Sequence, residues 1–424
     1  MTSTQTGSAT AVGAERAAHR DPNVLRWLGA YASSAVGDNV YYLALSWAAV
    51  QAGTPAQAGL VTALSAVPRA VLMLGGGVVA DRFGPRRVLI SSDAVRCAAV
   101  LAVALLLLAG RPGLWPLAVL ALVFGAVDAV MMPALGALPT RITGRGQLAR
   151  VHGMRSLAVR LANVVGAPLG GLGVALGGTA GAFGLAGLLF AASLPLLIAL
   201  RVAKQPADDA HARGSAWSDL TGGLRHIRGH RVLLPLIVVI ALSDLGFVGP
   251  LNVGLTLLAD ERGWGAGGVG WVLAGFGTGA GAASLLLTAR GRVPRAGLVL
   301  SVSGVVSAAA ISSLAFVPNV AVAVAVALSI GLISGLNGVL CGALLQAESG
   351  PAYVGRVTSV ATFFSLGVAP LSFPLTGTAI GLWGTGPVFV ASAAVCGLGG
   401  TVGLCDRRSP SATPRAHARP GTPR

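Results

Sequence analysis

The chain has 424 residues, 54% of them hydrophobic and 10% charged, with a mean hydropathy of +0.77. Soluble domains carry about 25% charged residues, so this composition excludes a water-covered surface and calls for a bilayer. A formal net charge of +16 is the other outlier. It does not read as a nucleic-acid footprint, because the arginines sit in short clusters between apolar runs, with little aromatic interleaving.

Residues 1–24 are polar and lack the short apolar core of a cleavable signal peptide, so they read as a cytoplasmic tail before an uncleaved first span. About 20 apolar residues cross the hydrocarbon core. Runs of that kind fall near 25–50, 57–80, 88–110, 114–136, 152–175 and 181–201. Six more follow near 233–258, 267–289, 296–316, 319–344, 357–380 and 385–405. Barrels need short alternating strands, so the runs predict helices. The expected fold class is an all-α membrane protein of twelve transmembrane helices, in two six-helix bundles at 25–201 and 233–405. A polar linker at 202–232 divides them; within it Trp217, Leu220, Leu224 and Ile227 recur at helical spacing and predict a basic surface helix. Residues 406–424, rich in Pro, Ser and Arg, are expected to be a disordered tail.

Arginine placement sets the expected orientation. Arg16, Arg20 and Arg26 precede run 1; Arg82, Arg86 and Arg87 separate runs 2 and 3; Arg141, Arg145 and Arg150 separate runs 4 and 5. The linker, the loop with Arg290, Arg292 and Arg295, and Arg356 continue the series, whereas alternate loops hold only Arg111 and Arg262. Both termini are therefore expected in the cytoplasm, as an even number of spans requires.

Sliding the chain on itself by 206 positions places Asp38 on Asp244, Arg86 on Arg292 and Pro112 on Pro318. It also places Arg150-Val151 on Arg356-Val357, Pro168 on Pro374 and Gly171 on Gly377. Only 14 residues are acidic, so an accidental acidic match has odds of roughly one in thirty. The coincidences predict a duplicated six-helix unit, with a substrate site near the midplane where the copies meet.

The segment between runs 2 and 3 reads Gly77-Val78-Val79-Ala80-Asp81-Arg82-Phe83-Gly84-Pro85-Arg86-Arg87. It resembles the G-x-x-x-D-R-x-G-basic-basic signature of the major facilitator superfamily, with Pro85 where a basic residue is common. The resemblance, covering residues 25–405, implies a conformational switch built from Gly77, Asp81, Arg82, Gly84, Arg86 and Arg87, with Asp81 near Val357 at the start of run 11. A carboxylate at a helix N-terminus is favourable by about 0.3–1 kcal/mol. Leu287 stands at the Asp81 position of the second copy. Run 5 contains Gly166-Ala167-Pro168-Leu169-Gly170-Gly171, similar to the helix-bending stretch of drug:proton antiporters but with the proline displaced by one. Small-residue packing is the alternative role for Gly166, Pro168, Gly170 and Gly171. Within the superfamily, this stretch and Gly355-Arg356-Val357 look most like prokaryotic exporters of the macrolide and enterobactin type.

Charges inside a span cost about 2.5–3.5 kcal/mol each on insertion scales. Asp38, Asp128, Asp244, Arg69 and Arg160 are such charges, and the resemblance places Asp38, Asp128, Asp244 and Asn337 in or near the central cavity. One reading makes a carboxylate the proton carrier; the other has Asp38, Asp128, Arg69 and Arg160 as fixed ion pairs. Asp93 and Arg96, one turn apart, read as a local structural pair, and Arg155 as an interfacial side chain. Four cysteines show no C-x-x-C spacing, so neither a metal site nor a disulfide framework is expected. The single lysine, Lys204, lies outside any Walker A pattern, and H-E-x-x-H and G-x-S-x-G are missing.

These features predict a monomeric, non-enzymatic exporter of an amphipathic small molecule, an antibiotic or secondary metabolite. It would use the proton gradient and no cofactor, with protons, substrate and the lipid bilayer as partners and no nucleic acid. An importer or uniporter and a non-transporting membrane sensor are the alternatives.

Overall fold

The computed structural model describes residues 18–110, 113–202, 216–230, 232–290, 296–350 and 353–405. The tail expected to be disordered at 406–424, most of the N-terminal tail and linker, Arg111, Arg292 and the Asp81 and Trp217 side chains lie outside the described residues. What is described is helical throughout, and all twelve apolar runs fall on helical residues.

Helix α1 (Pro22–Ala52) starts where Asp21 accepts the Asn23 N–H at 2.8 Å and Pro22 supplies a preset first turn. Run 2 is divided at Ser65 into α2 (Pro55–Leu64), opened by a Thr54–Gln57 capping box, and α3 (Ala66–Phe83). Gly84, at φ 82°, makes a turn that an L side chain would strain, and Pro85 begins α4 (Pro85–Ala109). Helix α5 (Leu114–Ala137) and the short α6 (Pro139–Ile142) lead into α7 (Leu148–Ile198). That 51-residue element holds runs 5 and 6, and reverses at Gly177 and Gly178, the latter at φ 63°. A Cβ on Gly173 would stand 3.0 Å from the Ala182 Cα; nine residues of straight helix would separate them by roughly 13 Å.

The linker helix α8 (Ala216–Gly229) buries Ile227 against Val357 and Val360, and the His226 ring stacks on Tyr353 at 4.2 Å. Run 7 becomes α9 (Leu233–Gly249), a π-helical turn (Pro250–Gly254) and α10 (Leu255–Glu261). Pro250 lacks an N–H, and the Leu255 N–H reaches back five residues to its carbonyl, so the turn widens there. Helices α11 (Gly265–Arg290), α12 (Ala296–Ser313), α13 (Val320–Ser349), α14 (Val354–Trp383) and α15 (Thr385–Cys405) complete the chain. Arg262, one of the two arginines outside the main series, donates to the Ala315 and Val317 carbonyls just past α12, which explains its place. Among the described residues, seven elements, α7 and the α9–α10 stretch among them, are long and apolar enough to cross a bilayer.

The two halves meet along two matching seams. On one, α7 lies on α11: a Cβ on Gly171 would sit 2.7 Å from the Ala266 carbonyl, and one on Gly270 2.6 Å from the Ala167 carbonyl beside Pro168. On the other, α14 lies on α2: a Cβ on Gly59 would sit 2.5 Å from the Phe373 carbonyl beside Pro374, and one on Gly377 would collide with the Pro55 carbonyl. Pro168 and Pro374, like Gly171 and Gly377, are the pairs that the 206-residue repeat matched, so each copy contributes the same backbone surface to its seam. The repeat thus has a structural counterpart. Gln51 Nε2 donates to Asp260 at 2.6 Å and Ser46 shares a 3.0 Å hydroxyl contact with Thr256, closing the arginine-poor end of the seam.

Backbone-to-backbone packing tolerates no extra methyl groups. Gly270→Val is expected to part the seam while leaving each half folded. In a background with its cysteines replaced, Gln51→Cys with Asp260→Cys should be bridged efficiently by a short bis-thiol reagent. Adding Gly270→Val should lower that yield severalfold, with little change in helical circular dichroism; an unchanged yield would count against the seam.

Candidate functional site

A buried charge cluster fills the first half. Arg96 of α4 is 1% exposed and stacks over Phe124 and Phe190, 5.4 and 5.8 Å from their ring centres. Its Nη1 lies 3.2 Å from Asp38 Oδ1 of α1 and 3.9 Å from Asp93 Oδ1, while Nη2 donates to Asp128 Oδ1 of α5. Arg69 of α3 holds the other Asp128 oxygen at 2.9 Å. Tyr42 of α1 accepts from Arg69 at 3.1 Å and donates to Asp128 at 3.4 Å. Asp93 accepts from Ser34 at 3.0 Å and from Ser193. Burying a charge costs several kcal/mol unless it is paired and hydrogen-bonded, and these contacts supply that pairing for Arg96, Asp93 and Asp128. Asp38 is satisfied on one side only: Arg96 Nη1 donates to its Oδ2 at 3.3 Å, whereas its Oδ1 is buried without a hydrogen bond. Three carboxylates face two guanidiniums here.

Two cavities adjoin the cluster. The larger, about 260 Å³, lies between the halves. Asn39, Tyr42 and Ser46 of α1 and Arg160 and Asn163 of α7 line one side; Asn252 of the π-helical turn and Leu273 and Phe276 of α11 line the other. Asn39 donates to Asn163 at 3.2 Å, and Arg160 donates to the Ala280 carbonyl of the opposite half at 3.3 Å. The smaller, about 100 Å³, lies toward the arginine-rich end of the first half and is lined by Asp38, Asp93, Ser34, Tyr31 and Arg155, among others. Tyr42 therefore touches both the large cavity and the Asp128–Arg69 pair, and Asp38 opens to the small one.

The structure brings Asp38, Asp128 and Arg69 together but redistributes the other candidates. Arg160 is not part of that ion-pair network; it faces the large cavity. Asp93 and Arg96 are no isolated local pair, since Arg96 is the hub of the network. Asp244 accepts a hydrogen bond from Ser365 and lines neither cavity. Asn337 accepts from Ser303 of α12 and is not among the residues lining the large cavity, in or near which the resemblance placed it. In the segment after α3, Arg86 donates to the Leu197 carbonyl at 3.1 Å and the Ile198 carbonyl at 2.5 Å, tying α4 to the end of α7. Arg82 and Arg87 are exposed, and Gly77 lies within α3. Gly166 and Gly170 admit Asn39 and Val40 of α1, Gly171 serves the seam, and Pro168 sits inside α7 with helical neighbours on both sides.

Sequence reading missed Tyr42, Ser46, Asn39, Asn163 and Asn252 as site residues. Asn39, Tyr42 and Ser46 are spaced three and four apart, as Arg160 and Asn163 are spaced by three, so each set shares one helix face. That spacing was the available signal.

Removing Arg96 leaves buried carboxylates without their countercharge, which costs about 3–5 kcal/mol when a buried pair is broken. Arg96→Leu should therefore lower the thermal unfolding midpoint of the purified protein markedly, and adding Asp128→Asn should recover part of the loss. Additive losses in that double-mutant cycle would show that the two side chains are not coupled.

A family profile of the Major Facilitator Superfamily matches residues 27–372. The enterobactin exporter EntS of Shigella boydii serotype 18 (strain CDC 3083-94 / BS512) is 28% identical over 353 residues, covering 81% of this chain and 80% of that protein. EntS of Escherichia coli O1:K1 / APEC matches to the same extent. Among solved structures, the nucleoside transporter NupG (D323A mutant) superposes with a TM-score of 0.72 at 12% identity, covering 91% of this chain and 99% of that one. A bacterial homolog of the human lysosomal transporter Spinster, inward-facing and unoccupied, gives 0.65 at 15% identity over 92% and 98%. With the profile spanning most of the chain and the fold shared with these transporters, the chain belongs to the Major Facilitator Superfamily as a multi-pass membrane transporter.

Proposed function

We propose that the protein exports an amphipathic small molecule, an antibiotic or secondary metabolite, across the cytoplasmic membrane by proton antiport. In this reading it works as a monomer with twelve spans, bundles at 25–201 and 233–405, and both termini in the cytoplasm. The likeness to the enterobactin exporters supports the direction, and the family supports alternating access between the halves. The arginine-poor end, closed by Gln51–Asp260 and the two seams, is then the outer side.

One observation carries the coupling: the cluster holds one carboxylate more than its guanidiniums can balance, and Asp38 Oδ1 has no hydrogen bond. A proton on Asp38 neutralises that surplus. The small cavity links Asp38 toward the cytoplasmic side, and Tyr42 connects the cluster to the large cavity, where substrate would bind. A single proton entering down 100 mV contributes about 2.3 kcal/mol, enough to sustain roughly a fifty-fold gradient of a neutral solute.

Energised inverted vesicles from an efflux-deficient host provide the test. Addition of a substrate from a panel of lipophilic antibiotics should release lumenal protons in the wild type and in Asp244→Asn, and not in Asp38→Asn. Release that persists in Asp38→Asn would remove that carboxylate from the mechanism. Silence across the panel, with drug accumulation insensitive to collapse of the gradient, would sink proton-coupled export and favour a uniporter or a sensor.

A further inference from the structure

The large cavity is electrically one-sided. Among the described residues, Arg160 is its only charged lining residue and no Asp or Glu lines it. None of the ion pairs among the described residues includes Arg160. Its one hydrogen bond runs to the Ala280 carbonyl at 3.3 Å, a long contact to a neutral acceptor. A guanidinium inside a membrane protein is costly unless something of opposite charge meets it. Around it stand the amides of Asn39, Asn163 and Asn252 and the hydroxyl of Tyr42; the opposite wall, with Leu273 and Phe276, is apolar.

From this arrangement we infer that the exported molecule is a small amphipathic anion, its acidic group held by Arg160 and its apolar body against Phe276 and Leu273. The inference rests on the transport reading above and names the class of substrate for that same cavity. Guanidinium–carboxylate contacts are bidentate and charge-assisted, and stronger than the Arg160–Ala280 contact they replace. Because Ala280 belongs to the other half, an arriving anion also withdraws Arg160 from a cross-half hydrogen bond, so loading the site loosens α7 from α11 next to the seam.

The test measures binding, which is independent of proton coupling. Radiolabelled 2-naphthoate and its uncharged isostere 2-naphthamide are titrated onto the transporter in nanodiscs of neutral lipid, with empty discs subtracted. The wild type should bind the carboxylate about ten- to a hundredfold more tightly than the amide. Arg160→Lys should keep a reduced preference and Arg160→Gln should abolish it, with unfolding midpoints confirming that each variant is folded. Equal affinities in the wild type, no saturable naphthoate binding, or an undiminished preference in folded Arg160→Gln would each overturn the inference. Proton release in vesicles separates the two proposals: a carboxylate preference without any substrate-driven proton release leaves the anion site standing and removes the antiport. Proton release driven by uncharged drugs, without any carboxylate preference, does the reverse.

Discussion

A guanidinium that is 1% exposed, in a helix meant for lipid, is the constraint on which the first half of this transporter depends. Arg96 requires countercharge from three directions, and Asp38, Asp128 and Asp93 bring α1, α5 and its own helix to it. Arg69 then becomes necessary because Asp128 has two oxygens to satisfy, and Tyr42 fills the remaining space between them. Such a network is weak evidence for stability, since apolar residues of similar volume often do as well. Its value lies in specifying one arrangement of helices and in keeping ionisable groups beside a cavity. The second half is built on the same backbone plan without it. At the 206-residue offset, Arg96 corresponds to Val302, Asp93 to Val299, Asp128 to Ser334 and Arg69 to Gly275; only the Asp38–Asp244 match keeps its charge. Duplication preserved the scaffold and left the charge chemistry to one copy.

What both copies retain is the seam. Ala167-Pro168 and Phe373-Pro374 each offer a carbonyl to a glycine of the opposite half, and Gly171 and Gly377 each accept a carbonyl in return. Contacts of this kind, made by backbone and not by interlocked side chains, let two helices approach closely without large knobs that must be unpacked before movement. The inter-half surface combines that smooth packing with a few hydrogen bonds near the arginine-poor end. This suits rocking between two packed states, because small residues carry the contact and few polar partners must be exchanged.

How much of this was legible in the sequence follows from what one dimension can carry. Helix positions, the repeat and the intramembrane charges were readable, because length, hydropathy and the expense of buried charge are properties of a single segment. Partner choice was not. Asp93 and Arg96 stand at i, i+3, so spacing suggests a local pair, while the stronger contact of Arg96 is to Asp128, 32 positions away. Arg160 was grouped with the ion pairs because it is charged and mid-span; only the rotation of α7, set by Gly166 and Gly170 against α1, turns it toward the other half. Asn337 shows the same limit in reverse, since its helix face is fixed by packing against α12 and Ser303 claims its carbonyl. The π-helical turn at Pro250 lay unmarked within run 7, and its consequence, Asn252 facing the cavity, depends on the widened backbone.

The two proposed loads place a condition on each other. An anion on Arg160 and a proton on Asp38 carry opposite charges in a medium of low dielectric, so direct electrostatics favours holding both together. Antiport requires the contrary, that each leave before the other arrives. Charge repulsion between the loads therefore cannot provide the exclusion, and access must. The geometry offers a means: Asp38 lines the small cavity within the first half, whereas Arg160 lines the large one between halves. A ligand that draws Arg160 off the Ala280 carbonyl acts on the seam, while protonation of Asp38 acts on Arg96 and the packing of α1, α4 and α5. Tyr42 is the side chain common to both, donating to Asp128 while forming part of the cavity wall. In the proposed scheme, coupling accordingly depends less on the affinity of either site than on whether Tyr42 and the seam let one rearrangement proceed without the other.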